Sequence, residues 1–242
     1  ISLTPSGQIL VSYAEKILNT IQEAKAALGD SSIPSGPLPI GSMETTAAVR
    51  LPELLAKYHT QYPDVDLSLV TGPTEQHIHA VLHYELQGAF VSGPIEHPEL
   101  VQEKVIEEEL VLVTAPSHPP ISSIHEVHTN TMLVFHKGCS YRARFSQLLQ
   151  EEGLFPVKLM EFGALETIIG CVSAGLGVSL LPRSIIITHE QQGKVRSHIL
   201  PEKYSLVTTM FIRRKDALIT PALSAFLTEM RSQFQETSMR HL

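Results

Sequence analysis

The sequence has no tryptophan, only two cysteines, and few charged residues, which make up 18% of its 242 positions. Basic residues are in the minority: 18 Lys and Arg stand against 25 Asp and Glu, giving a formal net charge of −7. A surface that binds nucleic acid through its phosphates is normally basic. We therefore do not expect the residues present to contact DNA or RNA. With 43% hydrophobic residues, the chain is expected to fold around a buried core.

Long apolar runs and a leader sequence are also missing. No stretch approaches the roughly 20 apolar residues that span a bilayer, and the first residues, ISLTPSG, are not a basic-then-apolar signal sequence. A start at Ile1 rather than Met indicates a fragment. Cys139 and Cys171 form no C-x-x-C motif, as is typical of a reduced protein. These features predict a cytoplasmic protein without a membrane partner.

The first 28 residues contain the pattern of one long amphipathic helix, predicted over residues 4–28. Thr4 suits the N-cap, Pro5 the first helical position, and Gly29 the end of the helix. Apolar residues recur at alternating four- and three-residue steps, a narrow stripe typical of a coiled-coil seam. We predict that this stripe is a dimer interface, the alternative being an ordinary core helix. It consists of Leu10, Ala14, Ile17, Ile21, Ala24 and Leu28.

A linker rich in Gly, Ser and Pro over residues 29–39 precedes two successive series of alternating strand and helix patterns. Strands are predicted over residues 38–40, 65–71, 88–91, 100–106, 110–115, 132–135, 157–162, 178–181, 195–200 and 206–212. Helices are predicted over residues 42–62, 74–85, 140–152, 165–174, 182–189 and 221–234. Thr220 is the expected cap of the last helix.

This alternation predicts an α/β fold with two Rossmann-like subdomains joined by a two-strand hinge. The chain is expected to leave the first subdomain near Ala115 and to return near Val207. Subdomain I would therefore comprise residues 31–115 and 207–235, and subdomain II residues 116–206. A cleft between such subdomains is a favoured place for a small ligand.

Four segments, in order, resemble LysR-type transcriptional regulators. LTPSGQILVSYAEKIL is similar to the end of their winged helix-turn-helix domain and the linker helix, and LPIGSMETTAAVRLPELLAKYHTQYPDVDLSLVTGPT to the opening of their effector domain. GCSYRARF and ALETIIGCVSAGLGVSLLP are similar to later segments, so that the resemblance covers residues 3–235. One departure is Gly88, which stands where family members often carry an Asp.

The resemblance implies an effector domain of the periplasmic-binding-protein type II kind, which binds a small molecule in its cleft. It implies a homodimer or homotetramer formed through the linker helix. It also implies DNA binding through an N-terminal domain missing before Ile1, so that residues 1–30 would be the end of that domain and the dimerisation helix. The acidic charge agrees, since the missing domain would carry the basic surface. No cofactor and no catalytic activity are expected.

Turns that lead from a strand into a helix supply the candidate ligand-binding residues. Helix starts offer free N–H groups with partial positive charge, and hydroxyls there bind carboxylates or simply cap the helix. Arginines at such a start favour an anion held between them, although they can instead pair with acids such as Glu151 or Glu152. We predict that an anionic effector is bound by Ser42, Thr45, Thr46, Ser92, Ser140, Arg142 and Arg144.

Cys139 is a candidate redox sensor, because a thiol just before a helix start and near Lys137 and Arg142 can have a lowered pKa. An inert, partly buried cysteine is the favoured alternative. A solute-binding protein of a transport system is another alternative, but it would need an export signal and would be a monomer.

Metal and catalytic sites are not expected. His79 and His83 have the i,i+4 spacing of metal ligands, but there is no H-E-x-x-H motif. These two residues, together with His77, are therefore predicted to be surface histidines. The sequence contains no G-x-S-x-G elbow, and no set of nucleophile, base and acid can be assembled from its motifs, so an enzyme is not predicted.

Overall fold

The computed structural model describes residues 3–28, 33–127, 131–154 and 157–239. Helix α1 spans Pro5–Leu28, and the Oγ1 of Thr4 accepts the N–H of Gly7 at 3.1 Å, which confirms the predicted cap. The predicted stop at Gly29 lies outside the described residues. The next strand begins at Gly36, within the segment predicted as a linker.

The first α/β series follows the predicted order, with two differences. The helix predicted to run to residue 62 is broken at Arg50, because the ring of Pro52 is incompatible with an uninterrupted helix. The strand runs predicted over residues 100–106 and 110–115 form one strand with an irregularity between Lys104 and Ile106. The elements are β1 (Gly36–Ser42), α2 (Glu44–Val49), α3 (Leu51–Gln61), β2 (Val65–Thr71), α4 (Thr74–Leu82), β3 (Gly88–Gly93) and β4 (Leu100–Thr114).

The second series also follows the predicted order. The four-residue helix α8, which follows Pro201, was not predicted. The Oγ1 of Thr220 accepts the N–H of Leu223 at 3.1 Å, which confirms the last predicted cap. The elements are β5 (Thr131–Phe135), α5 (Ser140–Glu151), β6 (Lys158–Phe162), α6 (Leu165–Ser173), β7 (Ser179–Pro182), α7 (Arg183–Gln191), β8 (Arg196–Ile199), α8 (Glu202–Ser205), β9 (Leu206–Arg214) and α9 (Pro221–Met239).

The main sheet has the strand order β2-β1-β3-β9-β4-β7, and β8 also pairs with β4. β1 is parallel to β2 and β3, whereas β9 is antiparallel to β3 and β4. β4 pairs with β9 from Leu100 to Glu109 and then with β7 from Leu110 to Val113. β5 and β6 form a separate parallel pair. β4 and β9 are thus the two strands on which the chain crosses between the two parts of the fold.

The buried cores divide at this crossing. Two clusters contain only residues from 38–106 and 210–234, and two others contain only residues from 110–207. We call the first part, built on β1 to β3, α2 to α4 and α9, the first half, and the part built on β5 to β8 and α5 to α8 the second half. The predicted fold class is confirmed, while the exact subdomain boundaries remain a prediction.

Helix α1 presents the predicted apolar stripe to solvent. Leu10, Ile17 and Ile21 are exposed large apolar residues, and Ala14 and Ala24 are exposed as well. The side chain of Leu28 lies outside the described part. None of the core clusters contains a described residue of α1. Among the described helices, none combines the length and the apolar content that a membrane span requires.

Candidate functional site

A cavity of about 270 Å³ lies between the two halves. Pockets for drug-sized ligands usually measure roughly 300–1,000 Å³, so this volume suits a small metabolite. The first half contributes the start of α2 and the turn between β2 and α4, and the second half contributes the turn between β5 and α5. The described lining residues are Met43, Glu44, Thr45, Thr71, Gly72, Pro73, Thr74, Gln76, Phe135, His136, Cys139, Ser140, Tyr141 and Gly163.

Several helices begin at this cavity, because each follows the carboxyl end of a strand. Thr74 is the first residue of α4, Ser140 the first of α5, and Gly163 lies two residues before α6 begins at Leu165. The N–H groups of a helix start carry partial positive charge. The cavity is therefore suited to an anion, although its described lining contains neither Lys nor Arg.

Two hydrogen bonds cross the cavity from one half to the other. The Oγ1 of Thr45 donates to the hydroxyl oxygen of Tyr141 at 3.3 Å, and the backbone N–H of Leu165 donates to Oε1 of Glu44 at 3.0 Å. Burial, together with the nearby charge of Glu108, raises the pKa of Tyr141 far above its ordinary value, so the phenol stays neutral. Both bonds hold the start of α2 against the second half.

Thr45 and Ser140 are the predicted site residues that line the cavity. The hydroxyl of Ser140 is buried and has no hydrogen-bond partner among the described residues. Ser42 and Thr46 are fully buried. Ser42 donates to the carbonyl oxygen of Met43 at 3.0 Å, and the backbone N–H of Ser92 donates to the hydroxyl of Thr74 at 3.2 Å. Ser42, Thr46 and Ser92 are thus not among the described residues that line the cavity.

The predicted arginines do not line the cavity. Arg142 pairs through Nη1 with Oε1 of Glu161 at 2.8 Å and also donates to the carbonyl oxygen of Phe135 at 3.4 Å. This hydrogen bond lowers the pKa of Glu161. Arg144 donates to the carbonyl oxygen of Lys203 at 3.5 Å. The positive charge of Arg142 is thus already matched by a carboxylate, which is Glu161 rather than an acid of its own helix.

Cys139 lies half-buried just before α5 and is a free thiol, as is Cys171. Burial raises the pKa of the Cys139 thiol, and this outweighs the opposite effects of the backbone N–H groups of Arg142 and Tyr141 and of the Arg142 charge. A reactive cysteine needs a stabilised thiolate. The raised pKa argues against the redox-sensor alternative.

The histidines differ from the prediction at one position, His77, which is buried rather than at the surface. Its Nε2 donates to the carbonyl oxygen of Ser42 at 2.9 Å, and a Cβ on Gly41 would stand only 2.7 Å from its Nδ1. Gly41 therefore allows α4 to approach β1. The rings of His79 and His83 stack at 3.8 Å. Within the described segments, no group of three or more His, Cys, Asp and Glu could hold a metal ion.

The buried histidines predict a loss of stability in mild acid. Burial lowers the pKa of His77 and of His198, so each takes up a proton on unfolding once the pH falls below the ordinary value of about 6.5. We expect the free energy of unfolding to fall by up to about 1.4 kcal/mol per pH unit for each histidine. Carboxylates such as Asp216, whose pKa is about 2, titrate only in stronger acid.

Denaturant unfolding at about pH 7.5 and about pH 5.5 checks this expectation. His77→Gln keeps a donor for the Ser42 carbonyl and should show a weaker pH dependence than the unmodified chain. His83→Gln, at a residue nearer the surface of the same helix region, is the matched control and should leave the dependence unchanged. An equal dependence in all three proteins would contradict the assignment to His77.

An α/β fold in two halves, with a cavity of metabolite size at their junction, is the architecture of a ligand-sensing domain. The chain matches the LysR substrate binding domain family over residues 31–235 and belongs to the LysR-type transcriptional regulators, of which it contains the effector-binding domain. It is 74% identical over 235 residues to the HTH-type transcriptional regulator GltR of Bacillus subtilis (strain 168). That match covers 97% of this chain and 79% of GltR.

Solved structures of such regulators share the fold. A full-length variant of OxyR from Pseudomonas aeruginosa has a TM-score of 0.73 at 22% identity, with 95% of this chain and 76% of that chain covered. The effector-binding domain of QuiR in complex with shikimate has a TM-score of 0.70 at 20% identity, with 84% and 98% covered. The predicted family and function as an effector-binding domain are confirmed. The homologues of this chain are transcriptional regulators, which are not enzymes.

Proposed function

We propose that the chain senses a small carboxylate in the cavity between its two halves and transmits occupancy through α1 to a DNA-binding domain. The observation that carries this proposal is the convergence of the starts of α4 and α5 on one cavity, where the Ser140 hydroxyl is buried without a described partner. An anion placed there would accept hydrogen bonds from this hydroxyl and from helix N–H groups. The shikimate held by the QuiR domain supports an effector of this size.

In this proposal Thr45 and Ser140 contact the effector directly, while Ser42, Thr46 and Ser92 support the walls. Arg142 would reach the effector only by giving up its ion pair with Glu161. An effector that touches both halves stabilises the arrangement in which the halves are close. The size of this shift is set by the difference between the effector's affinity for the close arrangement and its affinity for more open ones. The chain acts by binding alone, in the cytoplasm, without a cofactor.

We also propose that α1 pairs with α1 of a second copy of the chain to form a homodimer, or a homotetramer by further association. The exposed stripe from Leu10 to Ala24 supports this, because exposed apolar rows of this width usually mark an interface. A paired α1 would transmit a change between the two halves to both DNA-binding domains at once.

Ser140→Ala is the variant that tests the effector site. Because the hydroxyl has no described partner, we expect the unliganded variant to unfold at nearly the same temperature as the unmodified chain. A hydrogen bond to a charged group contributes about 1.5–3 kcal/mol, so the affinity for a bound carboxylate should fall about tenfold or more. Thermal shift with a panel of amino acids, keto acids and dicarboxylates identifies the ligand, and calorimetry measures its affinity.

Ser146→Ala is the matched control, since Ser146 lies on the same helix but not on the cavity. It should bind the ligand as the unmodified chain does. The proposal fails if no carboxylate raises the unfolding temperature, or if Ser140→Ala binds as tightly as the control.

A further inference from the structure

Glu44 is the acidic residue of the described cavity lining. It is half-buried at the start of α2, and its Oε1 accepts the N–H of Leu165 from the opposite half at 3.0 Å. An ionised carboxylate offers about four acceptor positions on its two oxygens. Glu44 therefore retains acceptor capacity in the cavity beyond its bond to Leu165.

Two basic side chains beside the cavity pair with an acid other than this carboxylate. Arg142 is paired with Glu161, and Nδ1 of His136 also lies 3.6 Å from that same carboxylate. A Cβ on Gly138 would lie 3.3 Å from Oε2 of Glu75, which places a second acid beside the turn before α5. Arg142 and His136 thus already have an acidic partner, whereas the hydrogen bond that Glu44 accepts comes from a backbone N–H group.

A ligand that carries only negative charge would therefore meet a like charge at Glu44, which is unfavourable across a binding surface. A ligand with one negative and one positive group would complement both features of the cavity. The negative group suits the starts of α4 and α5, where N–H groups and the Ser140 hydroxyl meet. The positive group suits the carboxylate of Glu44, with which an ammonium forms charge-assisted hydrogen bonds.

We propose that the effector is a zwitterion of the α-amino acid type, with its ammonium bound by Glu44 and its carboxylate bound at the starts of α4 and α5. This inference rests on the proposed function and specifies its ligand class. The volume of about 270 Å³ suits a molecule of this size.

Matched pairs of amino acid and keto acid test the inference, because the two members share a carbon skeleton and differ in the ammonium group. Suitable pairs are alanine with pyruvate, valine with α-ketoisovalerate, and glutamate with α-ketoglutarate. Calorimetry with the unmodified chain should show at least one amino acid binding about tenfold or more tightly than its keto acid. Glu44→Gln should abolish this preference while changing the affinity for the keto acid much less.

Glu44→Gln retains an oxygen acceptor for the N–H of Leu165, so the contact between the halves is kept. Glu53→Gln, which makes the same charge change on the exposed face of α3, is the control and should keep the preference. Denaturant unfolding of all three unliganded proteins verifies that the folds are equally stable.

The outcomes separate this inference from the proposed function. The inference is overturned if keto acids bind as tightly as their amino acids, or if Glu44→Gln keeps the preference. In either case the proposed function would still be supported if a carboxylate binds to the unmodified chain and Ser140→Ala weakens this binding. If no member of any pair, and no other carboxylate, binds to the unmodified chain, both the inference and the proposed function are wrong.

Discussion

Replacing Arg50 with methionine should lower the free energy of unfolding by about 3 kcal/mol, the lower end of the range for breaking a buried ion pair. The Nε of Arg50 donates to Oε1 of Glu108 at 2.9 Å, and Glu108 is only 5% exposed. Without Arg50 the carboxylate would stay buried, with the hydroxyl of Ser184 at 3.2 Å as its remaining described partner. A buried charge that has lost its partner is costly because water no longer solvates it.

Arg50, Glu108 and Ser184 lie where the two halves meet, so the loss of the ion pair should destabilise the whole domain. Glu108 lies on β4 close to the point where the strand changes its partner from β9 to β7. Arg50 follows α2 in the first half, whereas Ser184 lies on α7 in the second. The carboxylate therefore ties both halves to the strand that connects them.

Denaturant unfolding measures the effect, and the neighbouring pair of Arg183 and Glu109 provides the control. That pair is at a similar distance, 3.1 Å, but both of its side chains are well exposed, so Arg183→Met should cost less than about 1 kcal/mol. The double variant Arg50→Met with Glu108→Gln should recover part of the loss, since it removes the buried charge as well. Equal losses for Arg50→Met and Arg183→Met would contradict the assignment.

If α1 pairs as we propose, Ile17→Asp should convert the assembled chain into a monomer at micromolar concentration. Ile17 lies at the middle of the exposed stripe of α1, where a paired helix would bury it. An aspartate on each of the two paired helices would bring two like charges into an apolar contact, a cost of several kcal/mol. Light scattering combined with gel filtration measures the mass directly.

Ile199→Asp is the matched control, because Ile199 is even more exposed, at 71%, but lies on β8. It should leave the mass unchanged. If the unmodified chain is a monomer at these concentrations, or if Ile17→Asp keeps the assembled mass, α1 does not form the interface.

Local patterns were enough to predict most of the fold. The run VDLSLVT is bounded by turn residues on both sides, and β2 occupies the predicted span, Val65–Thr71. The prediction was wrong at the start of β1, where Pro37 and Pro39 indicated a linker. These prolines pair with β2, whereas β3 pairs with β1 only from Ile40 onward. Pro37 and Pro39 thus lie where β1 still has an open edge, the place in a sheet that accepts proline.

Site residues could be predicted from the sequence only where they lie at a turn between a strand and the helix that follows it. Strand-to-helix turns pointed to Thr45 and Ser140, and the same reasoning applied to the end of β2 would have pointed to Thr74. The pairing of Arg142 could not be predicted, because Glu161 comes close only through the parallel pairing of β5 with β6. Glu44 was missed because an acid in the first turn of a helix is ordinarily a favourable neighbour of the helix dipole.

The crossing of the chain on β4 and β9 also sets the order in which the cores can form during synthesis. The clusters of the second half use residues from 110–207 alone, so all of their members are synthesised before α9 begins. The main cluster of the first half joins Leu38 and Tyr58 to Phe211 and Phe226, which are made only after the whole second half. The apolar side chains of β1 and α3 therefore lack part of their native contacts until α9 is translated. Truncation within α9 would therefore expose core residues of β1 and α3, which are synthesised first, rather than residues next to the truncated end.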